Sequence, residues 1–535
     1  MRSENSGVHQ ETVLHSMRIH NDNWHIILLI VCFLFFCLFS LLGLWRHWGY
    51  LTSINDLGSF DQVVWMASRG HSLVNTSVLS MPMNWLGFHF QPILFAFVPL
   101  YKIIPSINWF VFAQSAALAV TAWPIFLFAE RITASGKVAF MWSLAYLCNP
   151  FVLNAAAWDF HPVSISAPFI ALGLLAVERK QMSLLLFVSL ILLACKEHMG
   201  LAVAGLGLLY GIRSRAWAMG VGLFVTGIAA FVLTITLVMP SFSVAGQHPM
   251  FGENIEQLGR YSWLGESPAE VIKKILLEPV AVSKTVFVDL GGFDYIFKLM
   301  GPFLLLPIIA LPWILPAAGD LIINLLSSVP LPRSLFSYHS VTIVPVLLVA
   351  AIHGSQKLTR YGRLFSSEKI ATYILLMSLF LGYVHAPLPF PGSKNKWDPV
   401  NTIANYDDQA AIVRDVIGTA SASVQANIGT HFSQRELIYR YPRKVGEADF
   451  VVLRLENPSI SNQTLPHHLQ MDPAEYLGSV SKLLNGEKYG VVFWDDPWLI
   501  LRRGHKSSEH ARNIRIKVEN LREEWEVNKN EIAGQ

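Results

Sequence analysis

The feature that most constrains this chain is a succession of apolar blocks cut by short polar breaks. They run Trp24–Leu44, Asn108–Ala129, Val138–Ala157, Val163–Val177, Met182–Ala194, Met199–Gly211, Ala216–Met239, Ile296–Leu315, Ala317–Pro330, His339–His353 and Ile370–Val384. A helix that crosses a bilayer needs roughly 20 apolar residues. Lipid offers no partner for a bare amide, so a spanning segment must close its hydrogen bonds internally. Of the 535 residues, 53% are hydrophobic and 14% charged, against about 25% charged in a soluble domain. The expected fold is an α-helical polytopic membrane protein with about 11 spans over residues 24–385.

Other segments follow from the same patterning. Residues 1–23 are polar and expected on the cytoplasmic side. Trp24–Leu44 is too long for a signal core and no small-residue cleavage site follows, so it is expected to remain as an anchor. Pro92–Pro105 is apolar but short and is taken as non-spanning. Two large external loops are expected, 45–106 and 240–295. From Ala386 the composition turns ordinary, and alternating helix and strand patterns over 386–503 predict a small α/β domain. Strands are expected at Phe450–Leu455 and in a hairpin across Asp495-Asp496-Pro497, with a helix at Pro473–Asn485. Residues 504–535 form a charged tail.

Net charge is only +3, and no basic cluster interleaved with aromatics occurs, which argues against a nucleic-acid partner. Cys32, Cys37, Cys148 and Cys195 lie in or beside apolar blocks without metal-ligand spacing, as packing residues would. No phosphate-binding glycine loop, dinucleotide fingerprint or zinc-protease motif is present.

Topology gives the breaks meaning. Cytoplasmic loops carry excess Lys and Arg, and Arg131/Lys137, Arg179/Lys180, Arg213/Arg215 and Lys357/Arg360/Arg363 mark four breaks as inside. With Pro92–Pro105 not crossing, the other breaks fall outside together with the C-terminal domain. These external breaks hold the mixed constellations, and an ionisable residue at a membrane boundary is costly unless it faces water or a cavity.

The first constellation is Asp56-Leu57-Gly58-Ser59-Phe60-Asp61-Gln62. Either Asp56 or Asp61 can serve as a general base for a hydroxyl, or hold a divalent cation such as Mg or Mn. His89 and Gln91 follow it. Asp159-Phe160-His161-Pro162 offers an imidazole for a phosphate or sugar oxygen, with Asp159 orienting it. Lys196-Glu197-His198 interrupts two apolar blocks, and its lysine suits a phosphate. Arg260-Tyr261, Arg333 and His339 add external donors for a leaving phosphate.

Together these motifs resemble an uncharacterised bacterial family of polytopic membrane proteins. The resemblance rests on Asp56-Leu57-Gly58…Asp61-Gln62-Val63-Val64-Trp65, His89-Phe90-Gln91-Pro92, Asp159-Phe160-His161-Pro162, Lys196-Glu197-His198, Gly259-Arg260-Tyr261, Tyr338-His339 and Thr430-His431-Phe432-Ser433-Gln434-Arg435. The layout is in turn similar to the GT-C glycosyltransferases, which use polyprenyl-phosphate sugars and carry an acidic residue in the first external loop. That similarity implies a transferase of the bacterial plasma membrane, with Asp56 as the loop carboxylate, a lipid-linked sugar donor, membrane lipids around it and an unknown acceptor. The rival expectations are a transporter or lipid flippase, with ionisable groups inside spans, and a non-catalytic assembly protein.

Overall fold

The computed structural model describes residues 22–243, 246, 260–360, 366–388, 390–393, 409–456, 471–506 and 510–533. The polar N-terminal segment up to residue 21 lies outside them. The first helix, Asp22–Trp48, continues the expected anchor to its polar end.

Among the described residues four helices are long and apolar enough to cross a membrane: Asn23–Trp48, Asn108–Thr133, Trp217–Phe242 and Ser367–His385. Gly136–Leu147 and Pro150–Ala156 form a pair bent by 52°, a fifth span if taken as one. Most of the other apolar blocks are helices of 10–17 residues, so among the described residues four or five spans of full length are seen where about 11 were expected. The reason is local. Lys196–His198 separates Met182–Cys195 from Met199–Ser214. Pro302, Pro307, Pro312 and Pro316 break the block after Met300 into short turns, because proline lacks the amide a helix interior needs. Pro92–Pro105 becomes a 3-10 stretch, Pro92–Phe97, followed by the short helix Val98–Ile103.

The main core is built around Asn108–Thr133, Gly136–Leu147, Val163–Glu178, Met199–Ser214 and Ile343–Thr359. Helices Met199–Ser214 and Trp217–Leu233 meet through glycines. A Cβ on Gly200 would lie 2.6 Å from the Gly227 carbonyl oxygen, and one on Gly207 2.8 Å from that of Gly220. Such backbone proximity is the usual basis of packing between apolar helices in lipid. The four cysteines are free, three of them buried.

Polar residues segregate to the two ends of this bundle. At one end Glu178 meets Arg213 at 2.8 Å, Arg131 at 3.8 Å and His353 at 3.7 Å, Lys137 meets Glu368 at 2.5 Å, and Lys357 donates to the Ile309 carbonyl. At the other end lie Asp56, Asp159–His161 and Lys196–His198. About 25 Å of helix separates Gln114, which holds the Asp159–His161 turn, from Arg131.

Two strands of two residues each, β1 (Val74–Asn75) and β2 (Met83–Asn84), pair antiparallel in the first large loop. The C-terminal domain carries a five-stranded mixed sheet in the order β4-β3-β5-β7-β6. Its strands are β3 (Ala422–Val424), β4 (Ile438–Arg440), β5 (Phe450–Arg454), β6 (Tyr489–Asp495) and β7 (Trp498–Arg503), flanked by helices Gln409–Ile417 and Pro473–Asn485. The expected helix, strand and hairpin are all present. The tail forms a helix, Ala511–Ala533.

This domain is seated on the first loop. Ile54 donates to the Ala426 carbonyl at 2.9 Å, Asn427 donates to the Tyr50 carbonyl, and the His431 ring stacks on His47 at 4.0 Å. A Cβ at Gly429 would collide with Ile54 at 2.6 Å. The chain is therefore pressed close where it leads into Asp56.

Candidate functional site

Asp56 immediately precedes the helix Leu57–Ser68, where an aspartate ordinarily caps the free amides. Here its side chain makes no cap hydrogen bond and turns to a cavity instead. That cavity has about 870 Å³ of free space including its mouth, and its walls include Asp56, His89, Gln91, His161, Lys196, Glu197, His198, Arg260, Tyr261, Asp320, Tyr338 and His339.

Three carboxylate–imidazole pairs ring this space. His161 Nε2 lies 3.5 Å from Asp56, His89 Nδ1 3.4 Å from Glu197, and His198 Nε2 3.4 Å from Asp320. The His161 ring is fixed twice over: it stacks on Tyr338 at 3.5 Å, and its Nδ1 lies 2.9 Å from the Asp159 backbone oxygen. Tyr338 stacks in turn on His339 at 4.2 Å and lies beneath the Lys196 ammonium at 5.9 Å.

Burial raises Glu197, but the hydrogen bond and charge of His89, with Lys196 and His198, outweigh it and hold the carboxyl well below its usual range. Its second oxygen accepts from the Phe90 amide at 3.2 Å. Burial lowers Lys196, partly countered by Glu197. Burial likewise pushes His339 well down, with Arg260 and Lys196 adding to the effect. Lys196 and Arg260 are the cations that this wall offers a phosphate, alongside the carboxylates Asp56, Glu197 and Asp320.

Not every expected residue faces this space. Asp61 points away from it and is buried against the C-terminal domain, accepting from Tyr101 Oη at 2.7 Å, Ser433 Oγ at 2.5 Å and Gln434 Nε2 at 3.2 Å. Asp159 does not orient His161 with its carboxylate. That group pairs with buried Arg46 at 3.2 Å and accepts from the Ser53 amide at 2.7 Å, which leaves the backbone oxygen to hold the imidazole. Burial pushes the Asp159 carboxyl up to about 6, against the pull of Arg46. Arg333 is also turned inward, donating to the carbonyls of Asn324 and Ser327 at the end of a helix, where unpaired carbonyls favour a cation. Gln91 lines the cavity while its oxygen accepts from Trp85.

Asp320 was not among the expected site residues, although an acid inside the apolar block Ala317–Pro330 was a sufficient signal. Its second oxygen accepts from Thr342. Among the described residues no three His, Cys, Asp or Glu side chains are placed to share a metal ion, so the cation expected at the first loop lacks a ready ligand set and no step is drawn through it.

A family of predicted membrane proteins, DUF2079, matches residues 46–496. The chain belongs to the DUF2079 family. No curated protein matches it. The DUF2079 match takes in every residue of the cavity wall, from Asn55 to His339. In this chain residues of six of the motifs line one space, the Thr430–Arg435 motif lies apart from it, and Asp61, Asp159 and Arg333 are turned away from it.

Proposed function

We propose that the cavity is the active site of a GT-C-like membrane glycosyltransferase, which moves a sugar from a polyprenyl-phosphate donor to an acceptor at the outer face of a bacterial plasma membrane. The observation that carries this reading is the uncapped Asp56 carboxylate on a wall shared with Lys196, Arg260 and His339. An acid and two cations, Lys196 and Arg260, around one space suit a reaction that removes a proton at one point and builds negative charge at another.

In this account the acceptor hydroxyl attacks the anomeric carbon and Asp56 takes its proton. The bond from that carbon to the phosphate oxygen breaks, and its electron pair stays on the phosphate. Lys196 and Arg260 meet the charge that develops there. The basic breaks at the opposite end favour an outward-facing cavity, and the C-terminal domain holds the loop that carries Asp56.

Reconstitution in vesicles separates this reading from a flippase. A transferase releases free polyprenyl phosphate as the acceptor gains sugar, whereas a flippase moves the intact lipid-linked sugar between leaflets. Movement without bond cleavage would refute the transferase.

A further inference from the structure

The region expected as a polar external loop carries an unpartnered apolar surface. Helix Pro268–Leu277 is followed by helix Pro279–Lys284, which runs on into a π turn, Thr285–Asp289. One side of this pair is packed: Leu264, Val282 and Val286 are buried against Val271, Ile275, Leu325 and Leu326. The other side exposes Ile272, Leu276, Leu277, Val280 and Val288, with Leu276 72% and Val280 83% accessible. Ile272 and Leu276, four residues apart, share one face of the first helix, and Val280 and Val288 add exposed apolar side chains on the segment that follows. A contiguous apolar patch of this kind marks a contact surface.

Length decides how such a surface meets lipid. Ten residues of helix rise about 15 Å, and the eleven from Pro279 to Asp289 little more. Neither crosses a hydrocarbon core of about 30 Å. The apolar row nevertheless continues along the chain through exposed Phe293, Phe297, Leu304, Leu305, Ile308 and Ile309. Ile309 is at the Lys357 end of the bundle. At the near end Tyr261 Oη donates to the Ile323 carbonyl and Trp263 Nε1 to that of Leu326, on the helix that gives Asp320 and Asn324 to the cavity. Along the chain these exposed apolar residues, with the ion pair Asp294–Lys298 among them, lead from the segment beside the cavity to the Lys357 end of the bundle.

We propose that residues 268–289 lie in the interfacial layer of the bilayer, with Ile272, Leu276 and Val280 among the acyl chains, and that the rim of the cavity borders lipid on this side. A short helix that buries one apolar stripe in the headgroup–acyl boundary gains stability in proportion to the area buried. The exposed Lys273, beside that stripe, can extend its ammonium toward the headgroups.

Single-cysteine labelling of the full chain in lipid nanodiscs tests this. Ile272→Cys, Leu276→Cys and Val280→Cys each receive an environment-sensitive fluorophore, with the unmutated protein as background and Lys482→Cys in the C-terminal domain as an aqueous control. All four positions are exposed, so labelling does not disturb the core. The expected result is strong quenching by lipids with a nitroxide near the headgroup, weak quenching by aqueous iodide, and the reverse at Lys482→Cys. Iodide access at the three positions equal to that of the control would overturn the proposal. So would shielding from both quenchers with energy transfer between labelled copies, which would assign the surface to a second copy of the chain.

Discussion

His161 holds its Nε2 3.5 Å from Asp56 while its Nδ1 lies 2.9 Å from the Asp159 carbonyl oxygen. A carbonyl only accepts, so Nδ1 carries a proton, and Nε2 is the atom presented to Asp56. When Nε2 is also protonated the ring supports the carboxylate, and when it is bare it turns a lone pair toward an anion. His161→Phe preserves an aromatic ring against Tyr338 but removes both nitrogens. Transfer is expected to fall by about 10²-fold or more, the usual scale of an acid–base contribution, with thermal stability close to that of the parent. The initial rate of transfer checks this.

Asp61 belongs to the domain junction. Asp61→Ala strands the Tyr101 hydroxyl, while Ser433 keeps the Thr430 carbonyl as acceptor, and a buried group left unpaired costs about 1–3 kcal/mol. The expected outcome is faster proteolysis between the membrane part and the C-terminal domain. The loss of transfer should follow this loosening and recover at low temperature, unlike the loss at Asp56.

Arg46 and Asp159 are a buried ion pair, 1% and 3% exposed. Removing only the carboxylate in Asp159→Ala leaves a buried cation unpaired, with an expected cost of about 3–5 kcal/mol. The double variant Arg46→Met with Asp159→Leu should recover most of that loss. Thermal unfolding in detergent measures both, and equal destabilisation of single and double variants would refute the pairing.

Two pH effects follow from the cavity. Glu197 is held below its ordinary 4.5, so the folded state binds fewer protons than the unfolded chain over that interval. Its stabilising contribution is complete above about pH 4.5 and is lost as pH falls toward the folded value. The stability gap between the parent and Glu197→Gln should therefore narrow in acid. Lys196 is held below its ordinary 10.5, so its charge is lost earlier on the alkaline side than that of a lysine in water. Affinity for polyprenyl phosphate should fall correspondingly early, and Lys196→Arg should move that limb upward because arginine keeps its charge. Thermal unfolding across pH reads the first effect and titration calorimetry across pH the second.

Much of this was legible in the sequence. The apolar blocks located the helices, and the strands of the C-terminal domain fell close to their expected bounds. Asp56, Lys196 and His339, which the basic breaks had put on one side, line one cavity, because charge at a membrane boundary must find a polar space. What escaped were helix lengths and facing. Prolines after Met300 break a block that composition alone reads as continuous. Five helical residues turn a side chain by about 140°, so Asp56 and Asp61 point to different neighbours, and only the fold identifies the C-terminal domain as that of Asp61. Asp320 was hidden for the opposite reason: it stands alone in an apolar run, and its partner His198 lies far away in the chain.

The most direct test of the central claim is sugar transfer from a panel of polyprenyl-phosphate sugars by reconstituted parent and Asp56→Asn proteins, with polyprenyl phosphate binding measured on the same samples. The account predicts that the parent transfers from at least one donor, and that Asp56→Asn inserts normally and binds the lipid phosphate within about threefold of the parent, yet transfers at less than about 1% of its rate, a two-decade loss on the scale of a missing general base. Undiminished transfer by Asp56→Asn would contradict it.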